Sequence, residues 1–123
     1  MKDLRKCEKC GAIVQVIEDC HCENCGIRCC GEVMQKVTAN TSDGAAEKHL
    51  PVVEVVGNYI LVTVNHVMDA DHYIEWVALD CEAVSGRKNF KAGEAVKAVF
   101  PYVKGSKVLA YCNKHGLWES IVE

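Results

Sequence analysis

Nine of the 123 residues are cysteine, and seven of those nine fall between Cys7 and Cys30. A stretch so dense in thiols cannot fold around an ordinary apolar core; it must be cross-linked or metallated. The opening Met1-Lys2-Asp3-Leu4-Arg5-Lys6 runs into cysteines and charges rather than an apolar segment, and no run approaches the ~20 apolar residues that span a bilayer. The expectation is a cytoplasmic protein with no membrane partner, and in a reducing cytosol clustered thiols bind metal in preference to forming disulfides. A formal net charge of −3, with basic residues scattered, argues against a nucleic-acid partner, because phosphate binding needs a concentrated basic surface.

The cysteines come as Cys7-Glu8-Lys9-Cys10-Gly11, Cys20-His21-Cys22-Glu23-Asn24-Cys25-Gly26 and Cys29-Cys30-Gly31. Cys-x-x-Cys-Gly suits a metal knuckle: two thiolates converge on one ion, and the glycine permits the positive φ that turns backbone N–H groups toward sulfur. Cys7, Cys10, Cys22 and Cys25 form one pair of such knuckles, a four-thiolate set for zinc or a single iron. Cys20, Cys22 and Cys25 with Cys29 or Cys30 form another set, at a spacing an iron–sulfur cluster would accept. His21 reads as a loop residue and Cys81 as a buried thiol.

Residues 38–46 are small and polar without a sustained period, and they read as a linker. They divide a cysteine-rich module, residues 1–37, from a β-patterned domain, residues 38–123. In the second part Ile60, Val62 and Val64 share a face opposite Leu61 and Thr63, and His72, Ile74, Trp76 and Ala78 are expected to share another. Ser85-Gly86-Arg87 reads as a turn, 95–99 as a strand running to Pro101, and 107–112 as the last strand. Short strands separated by turn signals, with no amphipathic helix, predict an all-β antiparallel sandwich.

Four of the five histidines lie in this second part, and His49, His66, His72 and His115 all fall at strand ends or in loops, where a rigid sheet can aim several side chains at one point. Cys112-Asn113-Lys114-His115-Gly116 adds a Cys-x-x-His knuckle closed by glycine. Imidazole and thiolate donors exclude magnesium and calcium and leave zinc, iron, copper or nickel. Five protein donors also over-fill a zinc site, which takes four or three plus water, so iron fits better.

Three segments, Glu47-Lys48-His49-Leu50-Pro51-Val52-Val53-Glu54, His66 with His72-Tyr73-Ile74-Glu75-Trp76, and Tyr111-Cys112-Asn113-Lys114-His115-Gly116-Leu117-Trp118, together resemble desulfoferrodoxin-type superoxide reductases. The resemblance implies an immunoglobulin-like sandwich carrying a ferrous centre with His49, His66, His72 and His115 equatorial and Cys112 axial. By the same resemblance His115 binds through Nδ and the other three through Nε. The implied activity is one-electron reduction of superoxide to hydrogen peroxide, fed by a rubredoxin-like or other reductase donor, in a homodimer or higher assembly. It gives Lys48 the task of attracting the anion and Glu47 that of closing the sixth position in the ferric state. Cys7, Cys10, Cys29 and Cys30 would hold a second iron in a desulforedoxin-like module, although Cys20, Cys22 and Cys25 in a lengthened loop depart from the family pattern and keep the other sets open. Two other classes fit the same residues: a non-catalytic iron electron-transfer protein and a zinc-binding interaction module.

Overall fold

The computed structural model describes residues 3–23, 26–41 and 46–123, with the backbone alone at 46 and 47. Two compact units divide the chain, Met1–Thr38 and Ala39–Glu123. No helix among the described residues is long and apolar enough to cross a membrane.

The first unit is made of fragments. β1 (Asp3–Lys6) lies between β2 (Ile13–Val16) and β5 (Gln35–Lys36), antiparallel to both, while β3 (Arg28–Cys29) and β4 (Glu32–Val33) form a minimal hairpin. The two residues that close this hairpin, Cys30 and Gly31, both take positive φ, 53° and 80°, as a type I′ turn requires. Arg5 ties the sheet to the following loop by bonding Asp3 at 3.0 Å and Asp19 at 2.9 Å, and Asp19 also accepts the Cys20 N–H. Buried apolar side chains in the described part of this unit come down to Leu4, Cys7, Val16 and Met34, too few to hold it together alone.

The second unit is all-β except for one helical turn, α1 (Ala46–His49). Its strands are β6 (Val52–Val56), β7 (Tyr59–Thr63), β8 (Ile74–Asp80), β9 (Ser85–Asn89), β10 (Lys97–Pro101), β11 (Lys107–Cys112) and β12 (Gly116–Ile121). They form two antiparallel sheets, β10-β7-β6 and β12-β11-β8-β9, the predicted immunoglobulin-like sandwich. Ile60 and Val62 from β7, Ala98 and Phe100 from β10, Val77 and Leu79 from β8, and Val108 and Ala110 from β11 meet in one core. Alternation explains β7: Ile60 and Val62 are buried, with Leu61 and Thr63 partly exposed between them.

Three local expectations are corrected. Residues 85–87 are not a turn but part of β9, an edge strand that pairs Gly86 with Leu79; its sequence Ser-Gly-Arg-Lys-Asn carries no apolar alternation because β8 supplies the pairing. The chain also adds β12 after residue 112, with the Cys112–His115 knuckle serving as the hairpin turn. Finally, Ile74 does not share a face with Trp76 and Ala78. The pairing of β8 with β11 jumps from Trp76↔Tyr111 to Ile74↔Cys112, so Glu75 is an extra residue in a bulge. Ile74 therefore joins Val77 and Leu79 in the core, and Trp76 stacks instead on Tyr111 with ring centroids 5.5 Å apart.

Candidate metal centre

Five donors arrive at one end of the sandwich by five different routes. His49 ends α1, His66 follows β7, His72 sits in a short bridge with Asp69, Cys112 ends β11, and His115 stands in the turn before β12. One donor atom from each lies within 4.8 Å of all the others. His49 Nε2 is 3.0 Å from His115 Nδ1 and 3.1 Å from His66 Nε2, while Cys112 Sγ is 3.5 Å from His66 Nε2. Two nitrogens held at right angles by one ion with bonds of ~2.1 Å would stand ~3 Å apart, so the spacing fits a shared ion.

The ring orientations agree with that reading. His66 turns Nδ1 to the Val67 carbonyl, which leaves Nε2 facing the group, and His115 faces it through Nδ1. His72 Nε2 is buried with no hydrogen-bond partner, a costly arrangement unless a metal takes its lone pair. Burial, the largest cause, lowers the pKa of both His66 and His72, so both rings favour the neutral form that binds metal. His49 and Cys112 are almost sealed from solvent, at 3% and 0% exposure.

Trp118 backs one of these rings and holds the backbone of another donor. Its indole stacks on His49 at 4.9 Å with planes 22° apart, and its Nε1–H donates to the His115 carbonyl at 3.1 Å. Lys48 is exposed beside His49 on α1, and the Glu47 side chain lies outside the described residues.

A second donor group, Cys7, Cys10, Cys29 and Cys30, lies in the first unit, again with all sulfurs within 4.8 Å of one another. Gly11, directly after Cys10, takes the positive φ of 79° expected of a knuckle. The Cys10 backbone N–H, chiefly, holds the Cys7 thiol down at about 7, whereas crowding by Cys10 and then Cys7 pushes Cys29 up to about 12. Four neighbouring thiols resist carrying charge together, and a cation in their midst removes that resistance. Among the described residues Cys22 is not part of the group, and Cys20 is disulfide-bonded, against the expectation that thiols here bind metal. Cys25 lies outside the described residues. Cys81 is half-buried rather than buried, its sulfur meeting the Val84 carbonyl at 3.0 Å, and His21 is an exposed loop residue beside Glu18.

A family model described as Desulfoferrodoxin matches residues 41–121. The chain belongs to the desulfoferrodoxin family. It is 43% identical to the desulfoferrodoxin of Nitratidesulfovibrio vulgaris, over 96% of this chain and 94% of that one. A superoxide reductase of Pyrococcus horikoshii is 30% identical, covering 73% of this chain and 98% of its own length. Among solved structures, the superoxide reductase of Treponema pallidum matches with a TM-score of 0.70 and 28% identity, covering 96% of this chain and 98% of that chain.

Two side chains of this desulfoferrodoxin-family chain had no role assigned from the sequence: Trp118, which lies against His49, and Asn113, which bonds Asp71 and Tyr73 on either side of His72. Trp118 closes the last quoted family segment, but nothing in a linear pattern says that it would lie against a histidine 69 positions earlier (118 minus 49).

Proposed function

We propose that this chain is a cytoplasmic superoxide reductase, reducing superoxide to hydrogen peroxide with one electron and two protons at an iron held by His49, His66, His72, Cys112 and His115. The observation that carries the reading is the convergence of four imidazole nitrogens and one sulfur, with His72 Nε2 buried and otherwise unpartnered. The likeness to a protein titled superoxide reductase supports the choice of reaction. Iron bound there supplies the one-electron couple.

The chain's own residues do the rest. Burial keeps His66 and His72 neutral and ready as donors, and the sealed Cys112 donates as thiolate, whose electron density favours electron release. Lys48 offers an exposed cation beside His49 in a protein whose net charge of −3 would otherwise repel an anion. It can also hold a water that delivers a proton, and Glu47 is the candidate to close the site between turnovers. Cys7, Cys10, Cys29 and Cys30 would hold a second iron, which would supply a one-electron store between a rubredoxin-like or other reductase donor and the His/Cys centre, and the working unit would be a homodimer.

The test is rapid mixing of the iron-loaded, reduced protein with superoxide. One peroxide should form per superoxide consumed, with oxidation of the thiolate-ligated centre at the same rate. Slow oxidation without matching peroxide would make the chain an electron carrier, and a colourless protein containing zinc at both groups would make it an interaction module.

A further inference from the structure

The ladder that joins β8 to β11 ends at Ile74↔Cys112, just past the bulge, and beyond it no further β8–β11 pairing ties the segment of His72 to the turn that carries His115. Asn113 takes over where the ladder stops. Its backbone N–H donates to the Tyr73 carbonyl at 3.2 Å, its side-chain oxygen accepts the Tyr73 N–H at 3.0 Å, and its side-chain nitrogen donates to the Asp71 carbonyl at 3.0 Å. These bonds grip the residues on either side of His72. The backbone of His72 is itself pinned by reciprocal bonds with Asp69, its N–H donating at 3.2 Å and its carbonyl accepting at 3.0 Å. A peptide held from both flanks cannot pivot, so the ring of His72 is delivered to one place.

We propose that Asn113 is a positioning residue of the His/Cys centre: by clamping Asp71 and Tyr73 to the Cys112–His115 knuckle it fixes the His72 donor relative to Cys112 and His115. This rests on the reading of those five residues as metal donors, though not on the reaction assigned to them. The asparagine is exposed and packs in no core, so its removal leaves the sandwich intact. What it removes is a side chain able to accept from one peptide and donate to another at once, which alanine cannot do and aspartate can do only by half.

The experiment compares the full-length chain with Asn113→Ala and Asn113→Asp, using cobalt(II) as the probe ion and the four-cysteine group of the same molecule as internal reference. Substitutions that release the supporting contacts of metal ligands weaken metal binding by about 10–100-fold, and an exposed clamp belongs at the lower end. Asn113→Ala should bind cobalt at the His/Cys site on the order of tenfold more weakly, with a shifted visible spectrum there, and Asn113→Asp should recover part of both. Cobalt at the four-cysteine group should be unchanged. A fall in melting temperature with wild-type cobalt affinity and spectrum would overturn the proposal, reducing Asn113 to a turn stabiliser. Wild-type protein that takes up cobalt at this site but, when loaded with iron instead, does not reduce superoxide would sink the proposed reaction and leave the clamp standing; protein that takes up neither ion there would sink both.

Discussion

The four-cysteine group hangs on three short strands and a two-residue hairpin, while the His/Cys group is set into the end of a seven-stranded sandwich. Cys10 and Cys30 are exposed; in the other group Cys112 and His49 are buried, and Cys112 belongs to the core cluster itself. One unit buries four apolar side chains among its described residues, whereas the other builds a core from five of its strands and the segments between them. The difference teaches which comes first. In residues 39–123 an apolar core supports the fold and presents a ready-made donor set; in residues 1–38 the four-cysteine group stands where a core would be.

Metal removal should break the symmetry most strongly. Structural metal binding in small thiolate modules is worth about 10–16 kcal/mol at neutral pH, and the roughly 6–12 kcal/mol from four buried side chains falls short of ordering the unit without it. Stripping the chain under reducing conditions should abolish amide-exchange protection in β1, β2 and β5 while β7, β8 and β11 keep theirs. Protection persisting in both units would show that the first unit has a core of its own.

Next in size is Cys112→Ser, which should abolish superoxide reduction while the optical signal of the four-cysteine group survives. Oxygen replaces the sulfur donor, and the two groups share no residue. Loss of both signals together would mean that the units are not independent.

Lys48→Ala should slow the second-order reaction with superoxide by roughly tenfold, since a local cation can steer an anion against an unfavourable average charge. The slowing should shrink as salt rises, because screening acts over ~10 Å at 0.1 M. Rates measured from low to high ionic strength check it: parallel slopes for both proteins would return Lys48 to ordinary solvated surface.

The smallest effect sharpens the choice among seven N-terminal cysteines. Changing Cys20, Cys22 and Cys25 together to serine should leave one metal ion per chain in the first unit, with its spectrum unaltered, because Cys7, Cys10, Cys29 and Cys30 already form a complete set. Metal and sulfide analysis would expose the opposite case, in which the ion or a cluster leaves with the loop.

Much of this was legible in residue order because it is local chemistry. A knuckle needs two donors a few residues apart and a glycine after them, and Cys7-x-x-Cys10-Gly11 and Cys112-x-x-His115-Gly116 state that directly. The Ile60, Val62 alternation states which face of β7 is buried for the same reason: the period of an extended chain is a property of neighbours. What tertiary structure decided is everything that depends on distant partners. The strand at 85–89 exists because β8 offers an edge to a polar segment, and the Glu75 bulge, invisible in the pattern, moves Ile74 into the core and Trp76 out of it. The nitrogens of His49 and His115 come within 3.0 Å although 66 positions separate them in the chain. Asn113, bonded to Asp71 and Tyr73, and Trp118, stacked on His49 and bonded to the His115 carbonyl, carry no imidazole or thiolate and so no metal signature in the sequence. Donor type is written residue by residue, but donor geometry is set by how sheets pair and pack, and only the folded chain contains that information.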